Sequence, residues 1–234
     1  MQVAILQCGN VSEKFQPRFG DYPEMVENMF AGFAPQLTFK TYDCQRGQLP
    51  ARIDAYDFYI TTGSKASVYE DAPWIQNLIR FIQVLKKQKK KFIGICFGHQ
   101  LIAMACQGKV EKSVKGWGVG IARNRISFQA AWMHKNPKTI NILASHQDQI
   151  CALPETAQVI AESDFCPFFM VQWDKYFLSL QGHPEWQTAY AKALMEDRRD
   201  IIPADTIAAG IASLQVEPDN ALFARWIIEF VQQE

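Results

Sequence analysis

The chain's most reactive arrangement centres on Cys96, in the run Lys91-Phe92-Ile93-Gly94-Ile95-Cys96-Phe97-Gly98-His99-Gln100. Phe92, Ile93 and Ile95 read as a buried strand, and Phe97 to Cys106 carries apolar residues at helical spacing, so Cys96 falls on the joint between the two. Gly94 and Gly98 let the backbone turn sharply there, lifting the cysteine off the strand end and over a helix N-terminus. Unpaired amides and the positive end of the helix dipole favour a thiolate, the nucleophilic form of the side chain. The pattern predicts a cysteine nucleophile on a strand-to-helix bend.

Such a nucleophile needs a base within hydrogen-bond reach, and the base needs a group that fixes its tautomer. The chain offers four histidines. His99, three residues past Cys96 on the predicted helix, projects on a side that need not meet the thiol. His134 lies in a polar segment beside Lys135 and reads as exposed, and His146 follows an apolar strand in Ser145-His146-Gln147-Asp148. His183 stands in Gly182-His183-Pro184-Glu185 at the end of another strand, and an extended backbone would put His183 and Glu185 on one face. Glu185 could then hold one imidazole nitrogen while the other meets Cys96. The spacing is not that of a His-Glu-x-x-His metal helix.

The elements that must position these groups alternate between strand and helix. Val3 to Leu6, Leu37 to Tyr42 and Tyr56 to Thr61 read as strands, with a helix opening at Pro23 between the first two. The small polar loop Thr61 to Tyr69 would lie at the carboxyl edge of a parallel sheet, with Gly63 free for close approach to a substrate. A second helix opens at Pro73, followed by the Cys96 strand and its helix. Beyond Gly108 come short strands: Val110 to Val114, Gly118 to Phe128, Thr139 to Ala144, Gln158 to Glu162, Phe168 to Trp173 and Tyr176 to Gln181. Helices then run to Met195, from Ala204 to Leu214, and along the stripe Phe223, Trp226, Ile227, Phe230 and Val231. This order predicts an α/β fold, a doubly wound and mostly parallel sheet with added antiparallel strands. With no repeat and no linker, residues 1–234 read as a single domain.

Composition narrows the function class. Twenty-four basic and twenty-four acidic residues leave no net charge, which gives no electrostatic case for nucleic acid or an anionic membrane. The basic run Lys86 to Lys91 reads as a solvated helix end. The first residues lack the basic lead-in of a signal peptide and no segment has the length of a membrane span, so a cytoplasmic protein is expected. The six cysteines have no paired spacing and read as reduced, with neither a disulfide framework nor a metal site.

Taken together, Gly94-Ile95-Cys96-Phe97-Gly98-His99-Gln100 followed by Ser145-His146-Gln147-Asp148 and His183-Pro184-Glu185 resembles the class I, or triad, glutamine amidotransferases. Within that family the likeness is to the glutaminase domain of GMP synthase and to stand-alone proteins similar to it. The resemblance implies the flavodoxin-like amidotransferase fold and no cofactor. It implies that Cys96 attacks the side-chain amide of glutamine to give a thioester and ammonia, with His183 as base and acid and Glu185 as its partner. The backbone amides of Gly63 and Phe97 would hold the oxyanion, and Gln100, Ser145, Gln147 and Asp148 match positions that grip the amino-acid end of glutamine. Gln147 departs from the family, which often has glycine there, and its length could admit a larger γ-glutamyl compound. No Ser-Gly-Gly-x-Asp or Gly-x-x-x-x-Gly-Lys loop is present, so an ammonia acceptor would be a separate synthase subunit. Two further readings compete: a self-sufficient hydrolase of γ-glutamyl peptides or conjugates, and a non-catalytic interaction protein. The α/β-hydrolases share Gly-x-Cys-x-Gly, but their acid precedes the histidine, whereas Glu185 follows His183.

Overall fold

A computed structural model describes residues 1–233. The strands are β1 (Gln2–Gln7), β2 (Thr38–Asp43), β3 (Phe58–Thr61), β4 (Lys91–Ile95), β5 (Lys109–Lys112), β6 (Gly118–Ile126), β7 (Thr139–His146), β8 (Asp148–Ala152), β9 (Ala157–Glu162), β10 (Met170–Trp173) and β11 (Phe177–Leu180). The helices are α1 (Gln16–Phe19), α2 (Tyr22–Ala31), α3 (Pro73–Lys87), α4 (Phe97–Ala105), α5 (Thr188–Asp197), α6 (Ala204–Ser213) and α7 (Asn220–Val231).

The main sheet runs β2-β1-β3-β4-β11-β10-β9-β6-β7. From β2 to β11 every pairing is parallel, and from β11 to β7 every pairing is antiparallel. This is the α/β sheet with added antiparallel strands that the order of elements predicts. Side-chain alternation along β1 shows how it is covered: Val3 and Ile5 pack with Val26 and Phe30 of α2 and Trp226 and Phe230 of α7, while Ala4 and Leu6 pack with Leu78 and Ile82 of α3 and Leu101 of α4. Helix α2 starts where Asp21 and Glu24 form a capping box, with Pro23 in the first turn.

Three local expectations are corrected. Val110 belongs to β5, which leaves the main sheet and pairs with β8, and Val114 lies fully exposed beyond the strand. Strand β8 itself is absent from the sequence-based expectation, because Asp148 and Gln149 at its start read as loop. The basic run does not stay solvated throughout: Lys91 is buried, its Nζ donating to the carbonyls of Lys175 (2.8 Å) and Phe230 (3.2 Å) over the Phe230 ring. The ammonium closes the C-terminal end of α7, where unpaired carbonyls accept a cation.

Candidate active site

Cys96 links β4 to α4 with φ 49° and ψ −95°, a left-handed conformation that costs a non-glycine residue on the order of 1–3 kcal/mol. What enforces the bend is close packing on either side of it. A Cβ on Gly98 would stand 1.7 Å from Thr61 Oγ1, and one on Gly94 would stand 2.8 Å from the Gly98 backbone. The strand and the helix thus meet backbone to backbone, and the two glycines are required by contact. The Cys96 amide donates to Leu180 O at 2.9 Å, so the free amides at this end of α4 begin with Phe97.

The topology brings the histidine to the same point. Strand β11 lies parallel to β4 with Ile95 opposite Leu180, so the residues after Leu180 leave the sheet beside Cys96. Gln181 donates to Cys96 Sγ at 3.5 Å, and the His183 amide is fixed on Leu143 O at 2.7 Å. His183 Nδ1 lies 2.7 Å from Glu185 Oε1, and Cys96 is near enough to help raise the pKa of the ring. With Nδ1 engaged by the carboxylate, the other ring nitrogen is the one left for sulfur. The pairing of His183 with Glu185 is achieved by a turn, with Trp186 N on His183 O at 3.3 Å, and not by the extended backbone that the spacing suggests. Trp186 stacks on the imidazole with ring centres 3.6 Å apart and planes within 8°, which locks its orientation.

Electrostatics separates this histidine from its neighbours. Burial alone would depress the His183 pKa, but the Glu185 carboxylate and the Cys96 thiol outweigh it and raise the value to about 9. His146, equally buried and lacking a carboxylate partner, is pushed down to about 4, with repulsion from His183 adding to desolvation. His99 falls to about 3 through burial; its Nδ1 meets Ser179 Oγ at 2.7 Å, so it faces away from the thiol. His134 is half-buried against Glu229, with Nδ1 2.6 Å from the carboxylate, and is not the exposed residue its polar segment suggests.

Above the sulfur opens a cleft of about 590 Å³. Cys96, Phe97, Gln100, Ser145, Gln147 and Asp148 all line it. Gly63, His183 and Glu185 lie beneath, buried, and a Cβ on Gly63 would stand 2.7 Å from His183 Cε1. Gln100 Nε2 donates to Asp148 O at 3.0 Å and to Gln181 Oε1 at 3.1 Å. The Asp148 carboxylate accepts from Ser67 Oγ (2.5 Å) and Tyr69 OH (3.0 Å), and Ser145 Oγ accepts from Arg198 Nη1 (2.7 Å).

Gln181 at Cys96, Trp186 on His183, and Trp117 and Arg198 in the cleft lining are not singled out by the sequence patterns. Gln181 and Trp186 directly flank the Gly182-to-Glu185 motif, and that adjacency is the available signal; nothing local marks Trp117 or Arg198.

A cysteine on a strand-to-helix bend thus lies beside a buried His-Glu pair at the carboxyl edge of the parallel strands. The family model for class-I glutamine amidotransferases matches residues 28–199, and the chain belongs to that family. It is 32% identical over 184 residues to γ-glutamyl peptidase 3 of Arabidopsis thaliana, spanning 75% of this chain and 73% of that protein. It is 37% identical over 102 residues to the glutamine-hydrolysing GMP synthase subunit of Archaeoglobus fulgidus, spanning 43% of this chain and 55% of that one. Its fold superposes on a glutamine amidotransferase from Thermotoga maritima with a TM-score of 0.76 at 20% identity, covering 99% of both chains. Among the described residues no helix is long and apolar enough to cross a membrane.

Proposed function

We propose that the protein hydrolyses γ-glutamyl amides through a Cys96 thioester, acting on γ-glutamyl peptides or conjugates in preference to free glutamine. With its pKa raised to about 9, His183 already holds the proton given up by the thiol when sulfur attacks the amide carbon, and the amides of Gly63 and Phe97 stabilise the resulting oxyanion. On collapse the carbon–nitrogen bond breaks, His183 passes its proton to the departing amine, and the γ-glutamyl group stays on sulfur. Water, deprotonated by His183, then attacks the thioester and releases glutamate, leaving the sulfur once more beside a protonated His183. Glu185 holds the imidazole in the required tautomer throughout, and Trp186 holds its plane.

The observation that carries this reading is the buried His183–Glu185 pair placed beside Cys96, which lines a 590 Å³ cleft. That volume belongs to the range of roughly 300–1,000 Å³ that accommodates drug-sized ligands, and free glutamine would fill only part of it. Similarity to the Arabidopsis γ-glutamyl peptidase supports the same substrate class. The residues act here as one catalytic unit, and the free state of all six cysteines supports a reducing, cytoplasmic setting.

A second reading, a glutaminase passing ammonia to a separate synthase subunit, draws support from the likeness to the archaeal GMP synthase protein. The purified protein alone, assayed for glutamate release from glutamine and from γ-glutamyl dipeptides, separates the two. The proposal expects dipeptide turnover with higher kcat/KM than glutamine, abolished in Cys96→Ala. Turnover of glutamine alone overturns it.

A further inference from the structure

Three cations line the cleft: Lys65, Lys112 and Arg198. The two lysines are exposed, whereas Arg198, at the end of α5, is half-buried. Its guanidinium is held at two points, by the 2.7 Å bond to Ser145 Oγ and by the face of Trp117, whose ring centre is 5.7 Å away. Trp117 and Ser145 belong to the same wall. Among the described residues none of the ion pairs includes Arg198. The acids of the cleft do not neutralise it by contact: Asp197 pairs with Lys14, Asp148 is bonded by Ser67 and Tyr69, and Asp200 is exposed. A guanidinium has five N–H donors in a planar fork matched to a carboxylate, and a single neutral hydroxyl occupies only one of them.

The two walls of the cleft differ in kind. Ser67, Tyr69, Asp148 and Gln100 are knitted together by hydrogen bonds into a neutral-to-acidic wall suited to an amino-acid end. Trp117, Arg198 and Ile201 form a wall that combines a fixed positive charge with apolar surface. A γ-glutamyl group seated on the first set of residues and attacked at Cys96 would leave the second set free for its leaving amine. Ammonia, the amine that glutamine releases, would use nothing there.

We infer that Arg198, oriented by Ser145 and Trp117, binds a carboxylate on the leaving half of the substrate, so that the preferred class is γ-glutamyl amino acids and short γ-glutamyl peptides with a free carboxylate. This rests on the γ-glutamyl reading above and adds the specificity determinant. Arg198 acts in recognition, and its effect falls on KM for one class of substrate.

The test compares γ-glutamyl-alanine with γ-glutamyl-alaninamide and γ-glutamyl-ethylamide, the last two lacking the carboxylate, in the wild type and in Arg198→Met and Arg198→Lys. The wild type is expected to favour the carboxylate substrate by roughly ten- to a hundredfold in kcat/KM, the range for hydrogen bonds to charged groups. Most of that preference should appear in KM. In Arg198→Met the preference collapses, and in Arg198→Lys part of it returns, since a lysine keeps the charge without the fork. The wild-type comparison needs no variant to fold. Equal handling of acid and neutral substrates by the wild type overturns this inference and leaves the γ-glutamyl reading intact. An equal loss on all three substrates in Arg198→Met also overturns it, since Arg198 would then serve the γ-glutamyl half. Hydrolysis of glutamine with none of the three substrates removes both.

Discussion

The carboxyl ends of β3, β4 and β11 and the far wall of the cleft are built on different terms. At the first, Cys96, His183 and Glu185 are buried, and Cys96 and His183 are held by close packing. Thr61 and Gly98 pin the bend at Cys96, while Trp186 stacks on one face of the His183 imidazole and Gly63 packs close against its Cε1 edge. At the second, Trp117 and Arg198 are half-buried and Ile201 is 61% exposed, carried on the segment before β6 and the end of α5. On the proposed mechanism the reacting atoms must be fixed to within a fraction of an ångström, which the close backbone packing at the end of the parallel strands provides. Recognition tolerates more play, and peripheral segments can change it without disturbing the bend. His183 and His146 repeat the lesson at the scale of one ring. Both are buried, yet a carboxylate at 2.7 Å raises one to about 9 while its absence leaves the other at about 4.

The contrast breaks most sharply at the sulfur. Cys96→Ala should cost a thousandfold or more in kcat, roughly the scale seen for removed nucleophiles, with a circular dichroism spectrum like the wild type's. Glu185→Gln should lower kcat by about a hundredfold or more, because the imidazole loses its tautomer and its charge partner. The same variant should change stability with pH, as follows from the direction of the shift. A histidine whose folded pKa is raised from 6.5 to about 9 stabilises the fold fully below pH 6.5 and loses that contribution as pH climbs towards 9. The melting temperature of the wild type should therefore fall over that window, and Glu185→Gln should flatten the fall. His146 works in the opposite sense, contributing stability above pH 6.5 that is lost as pH drops through about 4. His146→Asn should leave the alkaline limb in place.

Smaller effects sharpen the comparison. Gly63→Ala places a methyl 2.7 Å from His183 Cε1 and should reduce kcat more than it raises KM, because the ring must shift. Cys96→Gly should be more stable than Cys96→Ala by about 1 kcal/mol in chemical denaturation, since glycine relieves the left-handed strain. On the far wall, Ile201→Ser should change stability by less than about 0.5 kcal/mol, as at other exposed positions.

The elbow is legible in the sequence because its glycines flank the cysteine at fixed spacing and the strand and helix periods change there. The His183-Glu185 pair is legible as a motif, although the turn that joins them is not, since alternation along a strand cannot foresee a chain leaving the sheet. Short β8 escapes notice because its first residues are polar and its partner is β5, away from the main sheet. Lys91 misleads because a lysine run gives no hint that its last member closes a distant helix. Arg198 and Trp117 are invisible for a related reason: their meaning comes from a contact between residues 81 apart in sequence, and neither segment carries a pattern of its own.

On the proposed mechanism one sulfur of six is nucleophilic because of where it is held. Brief exposure of the protein to a γ-glutamyl chloromethyl ketone, followed by peptide mapping by mass spectrometry, tests it directly. The account predicts a single adduct on Cys96, prevented by excess γ-glutamyl dipeptide and lost in His183→Ala, with exposed Cys151 unmodified. Labelling that falls on Cys151, or that reaches Cys96 equally well in His183→Ala, would contradict it.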